Sequence, residues 1–195
     1  MSNRWIEAAA VLLMTLLLGA CATPRGGSGA AGGALPEAAK ADFAVAVAAL
    51  EEGRYRVAEA ALNLALEHAP GHALLLLNRG IARRHAGDAE AARADLTAVL
   101  ARHPQQAEAH NQLGVLAREG GEFAAAEEHY RAALAGDPGY ADAHYNMGVL
   151  CEIYLRRADC ALRHYREYLA LRSDAVLQRW VEALSRRSGS AGGEG

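Results

Sequence analysis

Residues 109–138 read AHNQLGVLAREGGEFAAAEEHYRAALAGDP. The stretch is a helix, a tight turn at Gly121, a second helix and a break at Pro138. Glycine is the residue that most readily supplies a sharp reversal. Proline has no backbone N–H, stops the second helix and pre-sets the turn that follows. Small residues at Gly114, Ala126 and Ala133 let the two helices approach closely, and Tyr130 is large enough to fill the space between neighbouring pairs.

The same arrangement recurs in both directions along the chain. Pro36, Pro70, Pro104 and Pro138 are each 34 residues apart. On that period Ala46, Gly80, Gly114 and Gly148 share one column, and Gly53, Gly87 and Gly121 another. Ala58, Ala92 and Ala126 form a third, Leu62, Leu96 and Tyr130 a fourth, and Ala65, Val99 and Ala133 a fifth. One helix pair cannot bury its own apolar face, so at least three must stack. The fourth block departs from the pattern. It lacks the turn glycine and holds one inserted residue, so that Ala161, Tyr165 and Tyr168 enter the small, aromatic and small columns only after a shift of one. Residues 174–187, DAVLQRWVEALSRR, carry Val176, Leu177, Trp180, Val181 and Leu184 as a stripe at helical spacing. They are expected to cover the last repeat, with Trp180 in the core.

These columns resemble the tetratricopeptide repeat over residues 39–173. The resemblance implies an all-α, right-handed solenoid: four helix pairs over residues 38–173 and a capping helix over 174–187. It also places the first helix of each pair along a concave groove. That groove would hold Leu74, Leu77, Asn78, Ile81 and Arg84 from the second repeat. The third would add Asn111, Val115 and Arg118, and the fourth Tyr145, Val149 and Glu152; Gln112 and Asn146 share with Asn78 a further column just beside these. Amides at 78, 112 and 146 suit the backbone of a bound peptide, apolar positions supply burial, and Arg84 and Arg118 suit acidic groups. The basic and asparagine set with which some members clamp a chaperone's C-terminal carboxylate is mostly missing, since Phe43 and Val47 stand at its first-repeat positions.

The N-terminus points to a compartment. Arg4 precedes thirteen apolar or small residues, Ala8 to Ala20, too few to span a bilayer as a helix but suited to a secretory signal. Leu18-Gly19-Ala20-Cys21 resembles the lipobox of bacterial lipoproteins. The resemblance implies a signal peptide over 1–20, lipidation at Cys21 and a membrane anchor that does not span. Without Asp at residue 22, the expected address is the periplasmic face of the outer membrane. Residues 21–37 are expected to be a flexible tether, and 188–195 a disordered tail.

The remaining chemistry is sparse. Charge is near balance, 20 basic against 23 acidic residues, so a nucleic-acid footprint is not expected. There is no HExxH and no phosphate-binding glycine loop. His110 and His144 share a repeat column and so lie about 10 Å apart, too far for one zinc. No metal, cofactor, small-molecule substrate or catalysis is expected. Cys151 and Cys160 face each other across the fourth hairpin; in an oxidising periplasm they are candidates for a disulfide, with two buried thiols or metal and redox chemistry as the alternatives. The expected function is a protein-interaction scaffold that binds a peptide or envelope protein, in assembly or secretion such as pilus or secretin biogenesis. An accessory subunit of a TonB-type transport complex and a regulator of peptidoglycan enzymes are the other two readings.

Overall fold

The computed structural model describes residues 33–191, all of whose regular structure is helical. The signal segment, Cys21 and most of the tether lie outside the described residues, as do 192–195 of the tail. Four helix pairs follow one another: α1 (Glu37–Glu51) with α2 (Tyr55–His68), α3 (Ala73–His85) with α4 (Ala89–Arg102), α5 (Ala107–Glu119) with α6 (Phe123–Gly136), and α7 (Ala141–Val149) with α8 (Ala158–Leu171). A ninth helix, α9 (Ala175–Ala191), packs on α8. Each helix packs against the next in sequence, and the first helices of neighbouring pairs also touch, α3 with α5 and α5 with α7. This is the stacked solenoid that the 34-residue period implies.

The pairs close because small residues meet large ones. A Cβ added to Gly80 would sit 2.9 Å from Leu96 Cγ, and one added to Gly114 would sit 2.6 Å from Tyr130 Cε1. Gly148 is pressed against the Tyr165 ring in the same way. Each first-helix glycine is thus the socket for the large residue of its own partner helix. Leu62, Leu96 and Tyr130 are fully buried, and Tyr165 nearly so.

The inserted residue of the fourth repeat has a definite place. In the first three pairs the turn closes with a bond to the carbonyl five residues back: Arg54 to Ala49, Asp88 to Arg83, Glu122 to Ala117. The preceding residue, Gly53, Gly87 or Gly121, has a positive φ, which completes a Schellman-type end. In the fourth pair α7 runs on into a π-helical turn, Leu150–Tyr154, and the Arg157 N–H reaches six residues back to the Cys151 carbonyl at 2.8 Å. The positive-φ position is now Arg156, at 56°. A π-helical turn accommodates one extra residue without shifting the register of the helix that follows. Cys151 and Cys160 are joined by a disulfide across this altered turn, with Cα atoms 5.8 Å apart.

Two expectations at the C-terminus need correction. Leu177, Val181 and Leu184 are buried, but Val176 is 70% exposed and Trp180 is 44% exposed. Only one face of α9 meets the last repeat; Trp180 lies beside it, its indole N–H donating to the Glu152 carboxylate at 3.0 Å. The helix also extends into the segment read as tail, through Ala191. The Ser188 hydroxyl there donates to the Ser185 carbonyl, a bond compatible with a helical turn.

Candidate functional site

The inner helices α3, α5 and α7 line a concave cavity of about 530 Å³, to which Tyr168 and Asp174 also contribute. Of the residues expected in the groove, Arg84, Asn111, Val115, Arg118 and Tyr145 meet here. Tyr145 is the most open of these, 41% exposed, and its ring tilts against that of Tyr168 at 5.4 Å. Leu77 is buried and Ile81 packs against the core formed by the first repeats, while Val149 packs against the core of the last. Those three stand behind the groove wall. Asn78 turns its amide N–H back to the Leu74 carbonyl of its own helix.

Most polar groups of the wall already have partners inside the protein. Arg84 donates from Nε to Gln112 Oε1 and from Nη1 to Glu119 Oε1, at 3.1 and 3.2 Å. Arg118 donates to the Tyr130 hydroxyl and lies 5.9 Å from the centre of the Tyr154 ring. Asn146 donates to the buried Asn111 at 3.0 Å. Both arginines are therefore held in place, and Arg84 is also partly neutralised by Glu119. Each amide keeps one unused function towards the groove: the Gln112 N–H₂ group and the Asn146 carbonyl. The floor also presents carboxylates that the periodicity did not single out. Glu119, Asp142 and Asp174 line the cavity, and Asp142 stands 34 residues after Glu108. Burial, and then the nearby Asp142 carboxylate, hold the Glu108 carboxyl above the usual range.

Histidines pair in a way the sequence reading did not find. His110 bonds through Nε2 to the Pro104 carbonyl and meets His129 Nδ1 to Nδ1 at 3.3 Å. One repeat later His144 bonds to the Pro138 carbonyl and meets His164 at 3.1 Å. The carbonyl requires a proton on Nε2 of the first histidine, so its Nδ1 is the acceptor and the second histidine donates. Ring centroids stand 5.6 and 5.4 Å apart, longer than the nitrogen separations by about two ring radii. The rings thus point head-on, as a shared N–H···N bond requires, and do not converge on a common metal. No group of three or more potential ligands is assembled among the described residues.

A second polar network ties the first two repeats together. Asp95, 4% exposed, accepts a two-pronged bond from Arg79 at 2.8 and 2.6 Å and a third bond from Arg83 at 2.8 Å. Arg83 also donates to Glu59 on α2. This network is part of the scaffold and does not line the cavity.

With four stacked pairs and a concave cavity, the chain has the form of a repeat-built binding surface. A tetratricopeptide repeat model matches residues 43–107, 77–141 and 113–176 in overlapping windows. The chain belongs to the tetratricopeptide repeat family. Among solved structures it is similar to TTC0263 of Thermus thermophilus, a thermophilic repeat protein, at 20% identity and a TM-score of 0.67, over 78% of this chain and 84% of that one. It is similar to MamA from Desulfovibrio magneticus RS-1 at 19% identity and a TM-score of 0.63, over 80% and 88%. YrrB, described as having an unusual peptide-binding site, aligns at 23% identity and a TM-score of 0.59, over 75% of each chain. At these identities the likeness concerns the fold. A comparison with curated protein sequences finds no match.

Proposed function

We propose that the protein is a membrane-anchored interaction scaffold that holds an extended or helical segment of a partner protein in its concave groove. The observation that carries this reading is the cavity between α3, α5 and α7: open, concave, and lined by fixed polar groups around an exposed tyrosine. Preformed hydrogen-bonding groups lower the ordering cost of capturing a flexible segment. Supporting it, tetratricopeptide proteins are interaction scaffolds, and YrrB carries a peptide-binding site. The anchor rests on Leu18-Gly19-Ala20-Cys21, and with it the proposed setting, envelope assembly or secretion at the periplasmic face of the outer membrane. No helix among the described residues is long and apolar enough to cross a membrane. The partner is a protein or peptide of the envelope, without nucleic acid, cofactor or catalysis. Affinity isolation from detergent-solubilised membranes, comparing wild type with a Tyr145→Ala/Gln112→Ala variant, tests the groove. Radiolabelled palmitate incorporation into wild type but not Cys21→Ser tests the anchor.

A further inference from the structure

A second cavity, of about 670 Å³, lies between α6, the altered fourth turn and α8, and its chemistry differs from that of the groove. Arg131 of α6, Arg156 and Arg157 of the turn and Arg163 of α8 all line it. Glu127 and Asp159 are the carboxylates on its wall. Glu127 is bound by both Arg157, through two bonds of 3.2 and 2.5 Å, and Arg131. Those bonds, first the one from Arg157, hold the Glu127 carboxyl below the usual range, so it works as a fixed anchor for two guanidinium groups. Arg156 and Arg163 make no ion pair with any described residue. His164, also on the wall, is pushed down to about 4, first by burial, and so adds no charge at neutral pH.

The local sequence goes against the fold's own preferences here. The first three repeats put glycine at the positive-φ position; the fourth puts Arg156 there. A non-glycine residue in that conformation costs about 1 kcal/mol or more. The next residue, Arg157, brings a second cation to the start of α8, where the helix dipole disfavours positive charge. Between residues 156 and 187 the chain carries eight arginines against four acids, although it is acidic as a whole. Arg157 is offset by its bonds to Glu127, whereas Arg156 holds its positive φ without an ion pair among the described residues, and a local rule broken without compensation marks a functional position. We propose that this cavity is an anion site that takes a phosphate-bearing group, with Arg156 and Arg163 as its direct ligands and Arg157 and Arg131 held in position by Glu127. Two uncompensated guanidinium forks fit a dianion with several oxygens better than they fit a single carboxylate. This site is independent of what the groove binds.

The test uses the full chain in detergent, with inorganic phosphate in one arm, at constant ionic strength, followed by calorimetry and thermal melting. The other arm uses co-sedimentation with vesicles of phosphatidylglycerol against vesicles of phosphatidylcholine. Arg156→Gly restores the glycine of the other repeats and is expected to melt no lower than wild type, yet to weaken anion binding roughly tenfold. Arg163→Gln, which leaves the turn untouched, is expected to do the same. Arginine-dependent binding of phosphate alone identifies a soluble ligand; an arginine-dependent preference for phosphatidylglycerol identifies a lipid headgroup. Either supports the site. If wild type binds neither, or both variants bind as wild type does, the proposal is overturned.

Discussion

The Tyr130 ring occupies the space that Gly114 leaves open, so close that a single added methyl group would fall 2.6 Å from the ring. The same fit holds between Gly80 and Leu96, and between Gly148 and Tyr165. Gly114→Ala is therefore expected to lower stability by about 1–3 kcal/mol through overpacking. Adding Tyr130→Leu is expected to recover part of the loss, because the first repeat already combines Ala46 with Leu62 in these columns. A double-mutant cycle in urea checks it; strict additivity of the two changes would refute the socket account.

Asp95 joins α4 to two arginines of α3 while nearly fully buried. Removing one partner of such a group leaves charges without compensation. Asp95→Ala is expected to cost about 3–5 kcal/mol, read as a lower urea midpoint with an unchanged slope. A loss within that of an ordinary surface substitution would show the network to be dispensable.

The disulfide between Cys151 and Cys160 closes a short loop around the π-helical turn. Closing about ten residues in the unfolded chain is worth about 2–3 kcal/mol. Reductant, or Cys151→Ala/Cys160→Ala, is expected to lower the melting temperature, with the fourth pair exchanging amide hydrogens first. Mass measurement of protein isolated from its native cells without reductant checks the bond itself: two free thiols would contradict it.

Burial, then His144, Arg163 and Arg131, push His164 down to about 4 from 6.5. In the unfolded chain it titrates at its ordinary value, so between those two values the unfolded state binds more protons. Stability is therefore complete above about pH 6.5 and falls as pH drops towards 4, by roughly 1–3 kcal/mol. His129 is shifted in the same direction, chiefly by burial. Glu127, held low, adds a separate loss only at more acid pH. His164→Asn keeps a donor for His144 and is expected to flatten the slope between pH 6.5 and 4; an unchanged slope would rule out this assignment.

The fold was legible because its determinants are periodic. Prolines, turn glycines and the small–large pairs recur every 34 residues, and each column marks one contact type. The groove was less legible, because periodicity says which face a residue is on but not what already binds it. Arg84 and Arg118 look like receptors for acids in sequence, whereas in the fold Glu119, Gln112 and Tyr130 already hold them. The histidine pairs join partners 19 and 20 residues apart, and the one-residue insertion hides their equivalence from a fixed 34-residue alignment. Trp180 fits an apolar stripe by spacing, but a terminal helix has only one neighbour and leaves its flank to solvent. The same insertion that blurred the fourth repeat carries the disulfide and brings the arginines to the second cavity.

The concave face is the proposed place where a partner protein is held. Site-specific photo-crosslinking in membranes tests it most directly, with the reactive residue placed at Gln112 or Tyr145 on the inner wall and at the exposed Ala60 on the outer helix α2. A discrete crosslinked protein is expected from positions 112 and 145 and none from position 60. Crosslinking from position 60 alone, or a partner retained in full by the Tyr145→Ala/Gln112→Ala variant, would contradict it.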